Sequence, residues 1–231
     1  MSDRRLRVAG AVLLGGFIYI AFEAIAARAW IDPPYDWARN LISDLGFADC
    51  AEVDGDRICS PLHPLMNAGF LVQGTVFTVG SVLVTRIMLT TSASRALVLP
   101  FLVVSGVGTF LVGVFHQSLG LTAAGLNWLH VTAAVLAIGP GNVGIVLLGA
   151  FTARSRAWRW YGLALLVIGT LGLVAALFLV AKNDLGVGLG FVERLAVYPL
   201  NTWTVGTAIG LLVTSASPRS RAARLADEAS G

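Results

Sequence analysis

Charge is scarce in this chain. Asp, Glu, Lys and Arg make up 13% of its 231 residues, against about 25% in soluble domains. Histidine is represented three times and cysteine twice. Two cysteines are too few for a disulfide-framework fold, and they do not form a CxxC pair. There is no HExxH, no HxxxH, no glycine-rich loop of the kind that cradles phosphate, and no internal repeat. What the chain has instead is apolar sequence: 56% hydrophobic residues and a mean hydropathy of +0.79, the composition of a membrane protein. A pI near 9.2 would suggest nucleic acid if the arginines formed one stripe. They sit between apolar runs, where they serve orientation, so no nucleic-acid partner is expected.

Six apolar runs are long enough to cross a bilayer as helices, which takes about 20 residues each. They predict an all-α polytopic bundle in one transmembrane domain, 1–217, with spans at about 8–28, 64–86, 96–116, 127–151, 159–181 and 195–216. A short tail, 218–231, follows. Eleven basic residues fall on one side (Arg4, Arg5, Arg7, Arg86, Arg95, Arg154, Arg156, Arg159, Arg219, Arg221 and Arg224) and five on the other (Arg28, Arg39, Arg57, Lys182 and Arg194). The positive-inside rule then puts both termini in the cytoplasm of a plasma-membrane protein and the 29–63 loop outside. The first run, ending near Ala27-Arg28-Ala29, also resembles a signal peptide. Its length and the interruption by Glu23 favour an uncleaved first span. Pro140, in Gly139-Pro140-Gly141-Asn142, predicts a kink in the fourth span, with Asn142 available to the freed backbone groups.

The longest polar interruption runs from Tyr35 to Asn67. At helical period Trp37, Ala38, Leu41, Ile42 and Leu45 share one side, and Asp36, Arg39, Asn40, Ser43 and Asp44 the other. That pattern predicts an outward-facing amphipathic helix over 36–46, lying on the membrane surface, or else an ordinary loop helix with a solvated face. Farther along, Cys50 and Cys59 flank an Asp54-Gly55 turn signal and are expected to pair as a disulfide in an oxidising compartment. The alternatives are two free thiols, or Cys59 joining His63 at a metal.

The polar groups crowd toward the outer half. His63 opens the second span, His116 closes the third, and His130 is one turn into the fourth. Glu23 lies seven residues before Trp30, about 10 Å below the interface at 1.5 Å per residue, a depth where an ionisable side chain is costly and suggests function. Arg194, Tyr198 and Asn201 follow at i, i+4 and i+7, one stripe that can face into the bundle. Three imidazoles and a carboxylate make a plausible zinc shell with an open position for water. On that reading His63, His116 and His130 are ligands, and Ser43, Asp44 and Glu23 orient the water or act as base. Asn67, Glu193, Arg194 and Tyr198 are the candidates for holding a substrate. The bland alternative is three interfacial histidines with local hydrogen bonds, and acids that only pair helices.

These residues carry a resemblance. NLISDLG (40–46), PLHPLMNAGF (61–70), LVGVFHQ (111–117), WLH (128–130) and GFVERLAVYPLNTW (190–203) resemble, in order, the blocks of the bacterial and archaeal DUF998 family. The resemblance implies a multi-pass membrane protein of uncharacterised role. It covers nearly the whole chain. The set of Ser, Asp and three His is also similar in kind to the membrane hydrolases related to alkaline ceramidases and progestin/adiponectin receptors, whose paired HxxxH and seventh span this chain lacks. Three functions are therefore expected to compete: a metal-dependent hydrolase of lipid-like substrates, a binder or transporter of a small or lipidic molecule with Glu193 and Arg194 clamping its head, and a structural subunit among membrane lipids.

Overall fold

The computed structural model describes residues 3–53 and 55–216, and the tail expected at 218–231 lies outside them. Within these residues six helices are long and apolar enough to cross a membrane. The first span is two helices, α1 (Asp3–Leu13) and α2 (Gly16–Ala29). Around Leu14 and Gly15 the backbone bonds shorten to i→i−3, from Gly15 to Val12 and from Phe17 to Leu14, so the span tightens and bends there. The rest follow as α3 (His63–Met88), α4 (Ser92–Val114), a short α5 (Leu119–Ala123), α6 (Asn127–Thr152), α7 (Arg159–Val180) and α8 (Leu189–Ala216).

Local chemistry fixes several ends. Pro64 sits in the first turn of α3, where a missing N–H costs nothing. Thr91 caps α4 by accepting from the Ser94 N–H at 3.1 Å, and Ser118 caps α5 by accepting from Leu121 at 3.0 Å. In α6, Asn142 does not serve the backbone freed by Pro140. Its amide donates to the Ile138 and Ala196 carbonyls, both at 2.9 Å, and so ties α6 to α8. The turn before Pro140 is bonded from α4 instead, where the Ser105 hydroxyl donates to the Ala137 carbonyl at 2.5 Å.

The helices form a ring in which α1 and α2, α3, α4, α6, α7 and α8 pack in turn and α8 returns to α1. One apolar core, with Leu13, Phe77, Leu102, Leu148 and Trp203, fills the half nearer the termini. A second, with Tyr19, Trp30, Ile42, Leu45, Met66 and Phe70, fills the half nearer the 30–62 loop, called here the loop end. Outward faces are apolar too: Leu177 and Val180 of α7 are 72% and 74% exposed. Exposure of that kind along all six spans is stable against lipid tails and not against water. The chain is a multi-pass membrane protein.

The loop differs from its expected form. The 36–46 segment is not a continuous amphipathic helix. It is a turn at 37–39 followed by one 3-10 turn, Ser43–Gly46, and we call residues 35–47 the strap. An α-helix needs its carbonyls for the N–H four residues on, and here the Ala38 and Arg39 carbonyls accept instead from Phe191 (2.8 Å) and Gly190 (3.1 Å), the first free N–H groups of α8. Asp36 adds a local competitor by accepting from the Ala38 N–H at 2.8 Å. The same docking lets α8 begin at Leu189, ahead of its apolar run, so Glu193 and Arg194 lie inside the helix. Beyond the strap, β1 (Cys50–Val53) pairs antiparallel with β2 (Asp56–Cys59), and a Cys50–Cys59 disulfide closes the hairpin.

Spans α3 and α4 approach so closely that glycine is required. A Cβ on Gly74 would meet the Phe110 backbone nitrogen and lie 2.6 Å from the Gly106 carbonyl oxygen. Backbone cannot rotate away, so Gly74→Ala is expected to cost about 1–3 kcal/mol, the usual penalty for overpacking. Gly206 in α8 has open space around it, and Gly206→Ala should cost nothing. Thermal unfolding in detergent, followed by circular dichroism, checks this; equal midpoints for the two variants would contradict it.

Candidate functional site

Arg194 organises the loop end. It is 6% exposed, one turn into α8. Its Nη1 donates to the carbonyls of Trp37 (2.9 Å), Asn40 (3.0 Å) and Gly190 (3.0 Å). Its Nη2 donates to the Tyr35 hydroxyl and lies 3.3 Å from Oε1 of Glu23 on α2. The guanidinium also stacks over the Trp37 ring at 4.8 Å and the Tyr35 ring at 5.5 Å. The Tyr35 hydroxyl in turn donates to the Leu41 carbonyl at 2.9 Å. Burial pushes the Tyr35 pKa upward, with Arg194 opposing, so it stays a neutral donor. One cation thus gathers the strap, α2 and α8. Removing it would leave Glu23 buried and unpaired, a loss of about 3–5 kcal/mol.

Other side chains complete the strap's backbone pairing. Glu193 accepts the Ile42 N–H, and Asp44 accepts the Leu41 N–H at 2.7 Å. Ser60 donates to the Leu45 carbonyl at 2.7 Å and Asn67 to the Gly46 carbonyl at 2.9 Å. At the far end Asp49 accepts from Leu119 at 2.7 Å. Glycine is needed where the strap rests on α8, because a Cβ on Gly190 would strike the Asn40 carbonyl.

Beneath the strap lies a cavity between α2, α3, α4, α6 and α8, of which about 70 Å³ is wide enough for water. Ile42 and Ser43 of the strap contribute to its lining, and Phe70, Phe77, Val112 and Leu200 supply apolar wall. Besides Ser43 and Thr109, the polar lining is Tyr19, Gln73, His130, Glu193 and Asn201. Four atoms on these residues are buried without any hydrogen-bond partner: the Tyr19 hydroxyl, Gln73 Oε1, and both Oδ1 and Nδ2 of Asn201. Single unpaired atoms also occur elsewhere, on Trp30, His63, Asn67, Ser81, Asn142 and Arg194. Among the described residues, it is around this space that residues carrying several of them line one volume. His130 Nδ1 is 2.9 Å from the Phe115 carbonyl. That contact requires Nδ1–H as donor and leaves Nε2 as an acceptor.

The sequence-derived candidates divide on this geometry. Ser43, His130 and Glu193 line the cavity. Glu23, Arg194 and Tyr198 form an adjoining network, with the Tyr198 hydroxyl donating to Glu23 at 3.0 Å. Asp44 and Asn67 bond strap backbone. His63 and His116 sit half-buried at the loop-end termini of α3 and α4, and neither lines the cavity. Among the described residues no three of His, Cys, Asp and Glu are placed to share a metal ion. The three histidines reach one end of the bundle but not one coordination shell. Sequence reasoning passed over Tyr19 and Gln73, and it used Asn201 only as part of a stripe. The available signal was a lone glutamine in the charge-free stretch 64–85 and a tyrosine one turn before Glu23.

The family described as "Protein of unknown function (DUF998)" matches residues 13–210. No curated protein and no solved structure matches the chain.

Asp44 gives the strap a pH dependence of definite sign. Burial raises its pKa from 3.8 to about 6; the Leu41 N–H opposes this, Asp56 adds to it and Arg194 opposes. Between these values the unfolded chain ionises first, so it binds fewer protons than the folded one, and stability falls as pH rises. The loss from about pH 4 to pH 6 is expected to reach at most about 3 kcal/mol, at 1.36 kcal/mol per pKa unit. Asp44→Asn keeps an acceptor for Leu41 and should remove this component. Melting midpoints of both proteins across that window provide the check, and parallel profiles would contradict it.

Proposed function

Since the chain belongs to the DUF998 family, whose description assigns no activity, we propose that it is a membrane-embedded binding protein, a receptor or carrier for a small polar or amphipathic molecule held in the cavity under the strap. One observation carries this reading: the unpaired atoms of Tyr19, Gln73 and Asn201 on a single cavity wall. An unmet buried polar group costs about 1–3 kcal/mol, and several converging on one space are the signature of a site completed by something bound. Water can complete it at rest and a ligand can replace the water.

The rest of the proposal concerns placement. The spans form one transmembrane domain of a plasma-membrane protein, with both termini cytoplasmic and the strap and hairpin outside. The eleven-to-five basic split supports this. Ligand then enters from outside, past the strap. Arg194 is not a ligand clamp in this reading, because its donors serve the strap and Glu23. The zinc-hydrolase alternative draws no support from the spread of the histidines.

Native mass spectrometry of protein extracted from its own membrane, with no ligand added, tests the reading. The wild type is expected to carry a small bound mass that Asn201→Leu loses while remaining folded. Bare protein in both samples, or the same adduct on both, would overturn it.

A further inference from the structure

We propose that the molecule taken into this cavity presents a protonated amine, bound through its ammonium group to Glu193. The inference rests on the binding reading above and deepens it.

Charge balance is the first argument. The loop-end half of the bundle buries three acids, Glu23, Asp44 and Glu193, and one cation, Arg194; Asp44 accepts the Leu41 N–H of the strap. Among the described residues the ion pairs are Arg39–Asp36, Arg57–Asp32 and Arg194–Glu23, and Glu193 belongs to none of them. The Nη atoms of Arg194 are already engaged by Glu23, three carbonyls and Tyr35, which leaves only its Nε without a partner. Glu193 receives the Ile42 N–H and lines the cavity with no cation of its own. A buried carboxylate in that position calls for a positive partner.

The second argument is the donor and acceptor balance of the wall. The Thr204 hydroxyl donates to the Leu200 carbonyl at 2.8 Å, so its oxygen can only accept further. Gln73 must therefore turn its NH₂ toward Thr204, at 3.3 Å, and its Oε1 is the atom left unpaired. Asn201 Oδ1 is a second unmet acceptor, and His130, whose neutral Nε2 can only accept, lines the same space. With the Glu193 carboxylate, acceptors outnumber the one donor-only group, Asn201 Nδ2, while the unpaired Tyr19 hydroxyl can serve either way. An anion would meet mostly lone pairs; an ammonium brings three N–H donors. The aromatic faces of Tyr19, Phe70 and Phe77 in the same lining suit a cation. The space, about 70 Å³ wide enough for water, has room for an aminomethyl or aminoethyl group.

Ethylammonium chloride and the neutral acetamide are the probes, titrated against detergent-purified protein at constant ionic strength and followed by thermal shift. Ethylammonium is expected to give a saturable rise in midpoint that acetamide does not. Glu193→Gln retains an oxygen for Ile42, so it should fold, and it should weaken ethylammonium at least tenfold. Asn201→Leu should weaken it as well without touching the carboxylate. Ethylammonium binding equally well to wild type and Glu193→Gln, or giving no shift, overturns the inference. Saturable acetamide binding without ethylammonium binding overturns it too, while leaving the cavity a binding site. A copurifying mass lost in Asn201→Leu separates failure of the amine inference from failure of the binding reading.

Discussion

A single buried guanidinium holds the loop end together. Arg194 meets carbonyls from two positions in the strap, a carboxylate from α2 and a carbonyl from its own helix. Lysine could not do this, because one ammonium cannot reach donors spread over a planar fork. Everything near it follows from that demand. The strap gives up helical form because its carbonyls point at α8. The glycines at 188 and 190 let it lie close, and α8 starts early because its first N–H groups find partners. The neighbouring Glu193 accepts the Ile42 N–H of the strap and also lines the cavity.

Much of the architecture was written in the apolar runs. Six segments of spanning length with polar breaks leave little choice of topology. The hairpin was suggested by Asp54-Gly55 between two cysteines, and Gly55 does adopt a positive φ of 90°. The strap was not legible, because its periodicity reports which side chains could share a helix face and says nothing of what else competes for the carbonyls. Ile42 and Leu45 are buried as an apolar face would be, but Asp44 is buried with them, while Trp37 is 44% exposed.

Site residues were legible in depth and not in direction. Position along a span places His63, His116 and His130 at the same end, and so they are. It does not say which way each faces, and only His130 turns to the cavity. Tyr19, Gln73 and Asn201 show the opposite case. Each alone is an unremarked polar residue in an apolar helix; they become a site only because α2, α3 and α8 turn them toward one volume. The stripe of Arg194, Tyr198 and Asn201 splits for the same reason. Its upper members meet Glu23, while Asn201 joins Glu193, Val197 and Leu200 along the cavity.

A bundle that served only to pack helices would gain stability by making these wall positions apolar. The account holds instead that the cavity is a largely apolar chamber whose few unmet polar groups are completed by a bound species, beneath a strap fixed by Arg194. The most direct measurement is an experimental density map of the protein in lipid nanodiscs, prepared from its native membrane. The account predicts non-protein density within hydrogen-bonding distance of Tyr19, Gln73, Asn201 and Glu193. A dry cavity, with those side chains rotated to bond one another, would contradict it.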